Sequence, residues 1–216
     1  MPFKDEIKQE IESYITNHLP EENWFENYFD FIDDQKLRIR LSEEFKAIRY
    51  IYKFFEGIQA EEWLKNAQIR IQIFYYASIY EAVIHHILFE ILPDKLEVKK
   101  LFITKTYKKI SVSNELNELE HDGKKILTMY QKDINREITT IRFEDKVDAS
   151  VKLNLINEKL GEELKDIYRL RNAIHLHAEI KKGIEYEMEM STIAYRRMKV
   201  FKEQIEVGLE QHEILQ

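Results

Sequence analysis

The chain has 216 residues, with five Gly, three Pro and 34% charged side chains, a length for one large domain and a composition that favours helices over sheets. It contains no Cys, which excludes disulfides, thiolate metal sites and a Cys nucleophile. A net charge of −7 argues against broad, salt-driven binding to nucleic acid while leaving room for a locally basic cleft.

No apolar run reaches about 20 residues, the length of a membrane span. The opening residues M-P-F-K-D-E-I-K are too acidic and polar for a signal peptide. The expectation is a soluble cytoplasmic protein with no membrane partner.

In chain order, residues 3–18 place Phe3, Ile7, Ile11 and Ile15 on one helical face, and Pro20 closes that helix. Residues 23–31 are dense in aromatics, with Trp24, Phe25, Tyr28, Phe29 and Phe31. Such a cluster packs into a core or an interface. Its interleaved Glu and Asp work against a second use, as a platform for stacking RNA bases. Ser42 is a candidate cap for the next helix, which runs through Phe45, Ile48, Ile51, Tyr52 and Phe55 to about Gly57.

Residues 61–92 read as the longest helix, ended by Pro93. Between Ile71 and Phe89 it is apolar almost all round, with Glu81 as its one charged residue. That pattern marks the central helix of a bundle. Ser78, Glu81 and His85 share one seam on it, at i, i+3 and i+7.

Residues 94–143 read as an irregular insertion. Leu96 to Phe102 is a short helix; Lys105 to Ser113 is a basic loop. Glu115 to Glu120 is helical in composition until the turn signal His121-Asp122-Gly123. Ile138 to Phe143 has strand-like composition with nothing to pair with. Lys99, Lys100, Lys105, Lys108 and Lys109 make this the most basic stretch, and Arg196, Arg197 and Lys199 form a second cluster. Each is either a solvated face or a contact surface; Lys105, Lys108 and Lys109 are the candidate RNA-binding residues. A helix over 145–153 follows, then a turn, then a helix over 157–176. Past Gly183, apolar Ile184, Tyr186, Met188 and Met190 alternate with Glu, an extended pattern, before Ser191 caps a final helix. The whole chain, 1–216, reads as a single all-α domain, with residues 1–60 an N-terminal helical extension and 61–216 the core.

The 157–176 helix carries Leu160, Leu164 and Ile167 on its buried stripe, and the same step lands on Arg171 and then Ile174. A guanidinium therefore stands where an aliphatic residue belongs, and a buried unpaired charge costs several kcal/mol or more, on the order set by desolvation. Its economical partner is Glu81, the other charge placed in the core. Asn172 follows Arg171, and His175 and His177 come next in the segment R-N-A-I-H-L-H. On a continuous helix His175 would lie about 40° round from Arg171.

Arg-Asn followed by His at the end of a helix resembles the signature of the HEPN superfamily, whose active members carry Arg, four to six residues, then His. Arg171, five intervening residues and His177 fit that spacing, and Asn172 matches the residue that often follows the Arg. His175 is outside the spacing but better placed geometrically, so the catalytic histidine is one of these two. The resemblance implies a HEPN-like helical bundle that dimerises, with residues 61–216 as its core. It also implies an acidic or polar residue on the long helix facing the motif, here Glu81. Many members are ribonucleases of toxin–antitoxin, abortive-infection and other antiviral systems; others are inactive binding modules.

The chemistry is consistent with that implication. Metal-independent RNA cleavage needs a base near the ribose 2′-OH, a cation on the phosphate and an acid for the leaving 5′-oxygen. His, with a reference pKa of about 6.5, moves the protons; Arg holds phosphate in a fork and stabilises developing charge. Asn172 orients the His or bonds the phosphate. One motif holds only part of the set, and a two-fold homodimer would supply two Arg and two His. The competing metal reading gathers Glu81, His85, His86, His175 and His177, but no His-Glu-x-x-His pattern is present. The expectation is therefore an endoribonuclease with catalytic Arg171, Asn172, Glu81, His175 and His177. It needs no metal or cofactor, and its partners are RNA, a second copy and an antitoxin or other regulatory protein. The alternative is an inactive HEPN-like binding or regulatory module.

Overall fold

The structure is a computed structural model that describes residues 2–110, 118–174 and 176–215. Nine α-helices and two small β-hairpins make up the described residues. The helices are α1 (Asp5–Asn17), α2 (Glu22–Asn27), α3 (Gln35–Gly57), α4 (Glu62–His86), α5 (Leu96–Leu101), α6 (Phe143–Lys152), α7 (Glu158–Ala173), α8 (Leu176–Lys182) and α9 (Met188–Gln211). The strands are β1 (Ile103–Lys109), β2 (Glu120–His121), β3 (Lys124–Lys125) and β4 (Met129–Asn135).

Helix α4 is the axis of the molecule. Ile69, Ile73, Tyr76, Ala77, Tyr80, Val83 and Ile84 form its buried face, and α3, α6, α7 and α9 pack against it. The opposite face is only partly covered: Phe74 is 48% exposed and Ser78, Glu81 and His85 are half-buried, so the nearly continuous apolar sequence does not translate into burial on every side. Its C-terminal end widens into a π-helical turn, Ile87–Ile91, where Leu92 N–H donates to Ile87 O at 2.9 Å. Pro93, with no N–H to continue the ladder, stops it there.

Helix α3 begins earlier than Ser42. Asp34 caps it, its Oδ1 accepting from Lys36 N–H at 2.8 Å and Leu37 N–H at 3.1 Å. Ser42 lies inside the helix, with Oγ donating to Arg38 O at 2.9 Å. The stripe extends upstream through Leu41 and the half-buried Leu37, so an earlier cap wins. Phe25, Phe29 and Phe31 are buried in the core with Phe45 of α3, as expected of the aromatic run. On α1 only Ile15 is fully buried; Phe3 and Ile7 stay exposed.

The insertion departs most from expectation. Residues 105–109 are not loop: they belong to β1, which pairs antiparallel with β4 from Ile103↔Asn135 to Lys109↔Met129. The partner strand makes an extended conformation stable where β1 alone would not hold one. Ile138–Thr140 is a 3₁₀ turn, and Phe143 opens α6, so the strand-like 138–143 stretch is not a strand. Residues 118–120 are non-helical, and the remainder of the expected 115–120 helix, with Ser113, lies outside the described residues. Asp122 (φ 51°) and Gly123 (φ 71°) join β2 to β3. Positive φ at both positions is the type I′ turn that Asp-Gly favours.

Two C-terminal boundaries also shift. Met188 already starts α9, so only residues 184–187 are irregular, and Ser191 Oγ donates back to Met188 O at 2.9 Å within the helix instead of capping it. More consequentially, the 157–176 helix ends at Ala173, with Ile174 at φ −72°, ψ 52° as its C-terminal cap. Its start is as expected: Asn157 Oδ1 accepts from Leu160 N–H at 2.8 Å. Helices α4 and α7 are packed neighbours.

Candidate functional site

Arg171 occupies the last turn of α7, partly buried. Its Cζ lies 5.2 Å from the Tyr168 ring centroid and 5.5 Å from that of Phe74. Two aromatic faces thus take the place of a carboxylate beside the charge. Nη1 donates to Asn172 Oδ1 at 3.0 Å. Nε is buried without a hydrogen-bond partner among the described residues.

The expected Glu81–Arg171 pair is absent. Glu81 Oε1 instead accepts from Tyr168 OH at 3.3 Å and lies 3.7 Å from Nζ of Lys146. Lys146, on α6, has a side chain only 5% exposed. Its Nζ also meets Nδ1 of His85 at 3.3 Å. An ammonium has only donors, so Nδ1 accepts and a neutral His85 carries its proton on Nε2. Burial, then the Lys146 charge, hold the His85 pKa below its ordinary value. Burial and the neighbouring Glu81 push that of Tyr168 up. The Glu81–His85 seam is thus closed by a lysine from α6, and Arg171 instead meets Asn172 and two aromatic rings.

Glu81, Lys146, Tyr168 and Asn172 line one polar cavity of about 460 Å³, together with Thr140 and Arg142. The chain returning from β4 supplies Thr140, so the ribbon is rooted at the cavity edge. Phe143 stacks on Tyr168, ring centroids 4.3 Å apart, and fixes that phenol against Glu81.

His177 is not on Arg171's helix. His177 is exposed in the first turn of α8; His175 lies outside the described residues. Helix α8 is tied to α4 through Glu179, whose Oε1 accepts from Tyr186 OH at 2.6 Å and lies 3.1 Å from Arg70 Nε, close but not aligned as a hydrogen bond. Because α7 ends at Ala173, Arg171 and His177 belong to different helices and the expected helix over 157–176 is not continuous.

Lys105, Lys108 and Lys109 are exposed on β1. Alternation puts Lys105 and Lys109 on one face and Lys108 on the other. Lys105 faces Asp133 across the ribbon, while Lys108 and Lys132 flank Tyr130 on the opposite face.

Sequence reasoning missed Lys146, Tyr168, Arg142 and Lys132. Lys146 had a usable signal: Phe143, Lys146, Val147 and Ser150 form the buried stripe of α6, so a cation sits at an aliphatic position, as with Arg171. Among the described residues, no three His, Asp or Glu side chains gather as a metal-ligand set, and no helix is long and apolar enough to cross a membrane. Comparison with protein-family models, with curated proteins and with solved structures found no match.

Proposed function

We propose that the chain is a metal-independent endoribonuclease of HEPN type that cleaves single-stranded RNA through attack of the ribose 2′-OH. The observation that carries this reading is Arg171 with Asn172 at a helix end, beside a polar cavity that also holds Glu81, Lys146 and Tyr168. Arg171 stabilises charge building on the scissile phosphate; its Nε is a donor without a partner among the described residues. Asn172 is exposed and orients phosphate or histidine. His177, or His175, takes the 2′-OH proton and the second histidine of the set protonates the leaving 5′-oxygen. Because one motif is incomplete, the active form is a two-fold homodimer. The β1–β4 ribbon, with Lys105, Lys108 and Lys109, is the RNA-contacting flank. The setting is a cytoplasmic toxin–antitoxin or antiviral system, with an antitoxin or other regulatory protein restraining the activity.

The test is cleavage of single-stranded RNA in excess EDTA. The products should end in a 2′,3′-cyclic phosphate, and DNA, lacking the 2′-OH, should resist. EDTA-sensitive cleavage would move the case to a metal enzyme.

A second reading, an inactive HEPN-like binding or regulatory module, is favoured by one observation: Arg171 and His177 lie on separate helices. Absence of cleavage of any RNA by the dimer would select it.

A further inference from the structure

Two stretches that stand out in the sequence take no part in the candidate site: the aromatic run at residues 23–31 and the basic cluster Arg196, Arg197 and Lys199. They are far apart in the chain, yet Trp24 and Tyr28 of the first and Arg196 and Lys199 of the second line one cleft of about 700 Å³ between α2 and the middle of α9. Ligand sites commonly span about 300–1,000 Å³. The cleft shares no lining residue with the cavity beside Asn172.

Its walls are aromatic. Trp24 is 39% exposed, a large indole surface left open to solvent. Its back rests on the core: ring centroids lie 5.0 Å from Tyr28 and 5.6 Å from the buried Phe45. Tyr195 also lines the cleft, with one ring face covered by the Arg49 guanidinium 3.9 Å from its centroid. Rings so supported present fixed faces, the arrangement that stacks a planar partner at low entropic cost.

The cations divide into occupied and free. Arg197 turns inward onto Glu163, donating from Nε at 2.5 Å and Nη2 at 2.7 Å. Lys202 is held by Asp30 at 2.8 Å and Glu206 at 2.9 Å. Arg196 lines the cleft with no ion pair among the described residues, and Lys199 has only a 3.7 Å approach to Glu203. Residues 196 and 199 are one helical turn apart and so share a face. In a chain of net charge −7, one unpaired arginine and a lysine with a single long, exposed ion pair beside the open indole of Trp24 select for an anion with a planar ring. The exposed amides of Asn23 and Asn27 stand on the α2 side, each offering donor and acceptor to a base edge.

We propose that this cleft binds a nucleoside phosphate, its base against Trp24, Tyr28 and Tyr195 and its phosphate on Arg196 and Lys199. An uncharged aromatic would leave the cations unused, and inorganic phosphate would leave the rings unused. The occupant is either a free nucleotide or one phosphorylated nucleotide of a strand.

The chain has two Trp, and Trp63 is 73% exposed, so Trp63→Phe leaves Trp24 as the sole indole reporter in the full-length protein. Titration with AMP should change Trp24 emission saturably. Adenosine and inorganic phosphate should each bind at least about tenfold more weakly, the scale of one charge-assisted contact. Arg196→Gln with Lys199→Gln should weaken AMP at least about tenfold and leave adenosine unchanged. A 5′-phosphorylated 2′-O-methyl RNA hexamer that binds more than about tenfold tighter than AMP would assign the site to a strand; equal or weaker binding would assign it to the free nucleotide. The proposal is overturned if neither AMP nor the hexamer saturates at millimolar concentration, if adenosine binds as tightly as AMP, or if the double variant binds AMP like the parent.

Discussion

Nζ of Lys146 lies 3.3 Å from Nδ1 of His85, a contact in which the lysine stays charged only if the histidine stays neutral. Burial first, and the Lys146 charge second, hold the His85 pKa below 6.5; Glu81 and Glu90 oppose the shift without reversing it. Between 6.5 and the lowered native pKa the unfolded chain binds the extra proton, so stability falls as pH drops through that window. Its contribution is complete above 6.5. Urea midpoints measured from pH 7.5 to 5 should fall for the parent chain more steeply than for His85→Gln. Equal slopes would show that the His85 pKa is not depressed in the folded chain.

Lys146→Met removes the cation that bridges Glu81 and His85. Glu81 keeps the Tyr168 hydroxyl and some contact with water, so the expected loss of stability is about 1–3 kcal/mol, in the range for a hydrogen bond to a charged group. In the same variant the His85 pKa, followed by NMR, should rise. A pKa that does not move would place the depression wholly on burial.

The proposed ribonuclease chemistry makes an ordered prediction for the motif. Arg171→Ala should lower cleavage by about 10²–10³, the usual scale for losing one transition-state charge contact. His177→Ala should match it, and His175→Ala should do less. Arg171→Lys should rescue only part, because an ammonium lacks the two-pronged fork. The reverse order for the two histidines would make His175 the proton-transfer residue.

Dimerisation is checked by light scattering at micromolar concentration, where the active form should have twice the chain mass. A monomer with undiminished RNA cleavage would contradict the need for a second motif.

Two glycines on α7 and α9 separate overpacking from helix propensity. A Cβ on Gly208 would sit 2.7 Å from Leu155 Cα and 3.0 Å from Asn154 O, both backbone. Overpacking of that kind costs about 1–3 kcal/mol, more than the ~1 kcal/mol that Gly→Ala gains in a helix interior. Gly208→Ala should therefore destabilise. A Cβ on Gly161 meets Val151 Cγ2 at 2.8 Å, a methyl group that can shift, so Gly161→Ala should cost less. Chemical denaturation of the two variants checks the order.

Much of the helical architecture was legible in the sequence because burial leaves a local pattern. The largely apolar run of residues 71–89 announces a core helix, Pro93 marks an end through its missing N–H, and the Asn157 side chain marks a start. The Asp122-Gly123 turn was equally local. Strand β1 was not, because its conformation depends on β4, more than a dozen residues away. The placement of Arg171 on a buried stripe showed that its charge needed an unusual environment, but not which one. Only packing decided that: α6 brought Lys146 to Glu81, and α4 and α7 offered Phe74 and Tyr168 to the guanidinium. A charge in a core must be compensated, and that demand is written at one position; which side chain meets it depends on how helices cross, which no single stretch of sequence encodes.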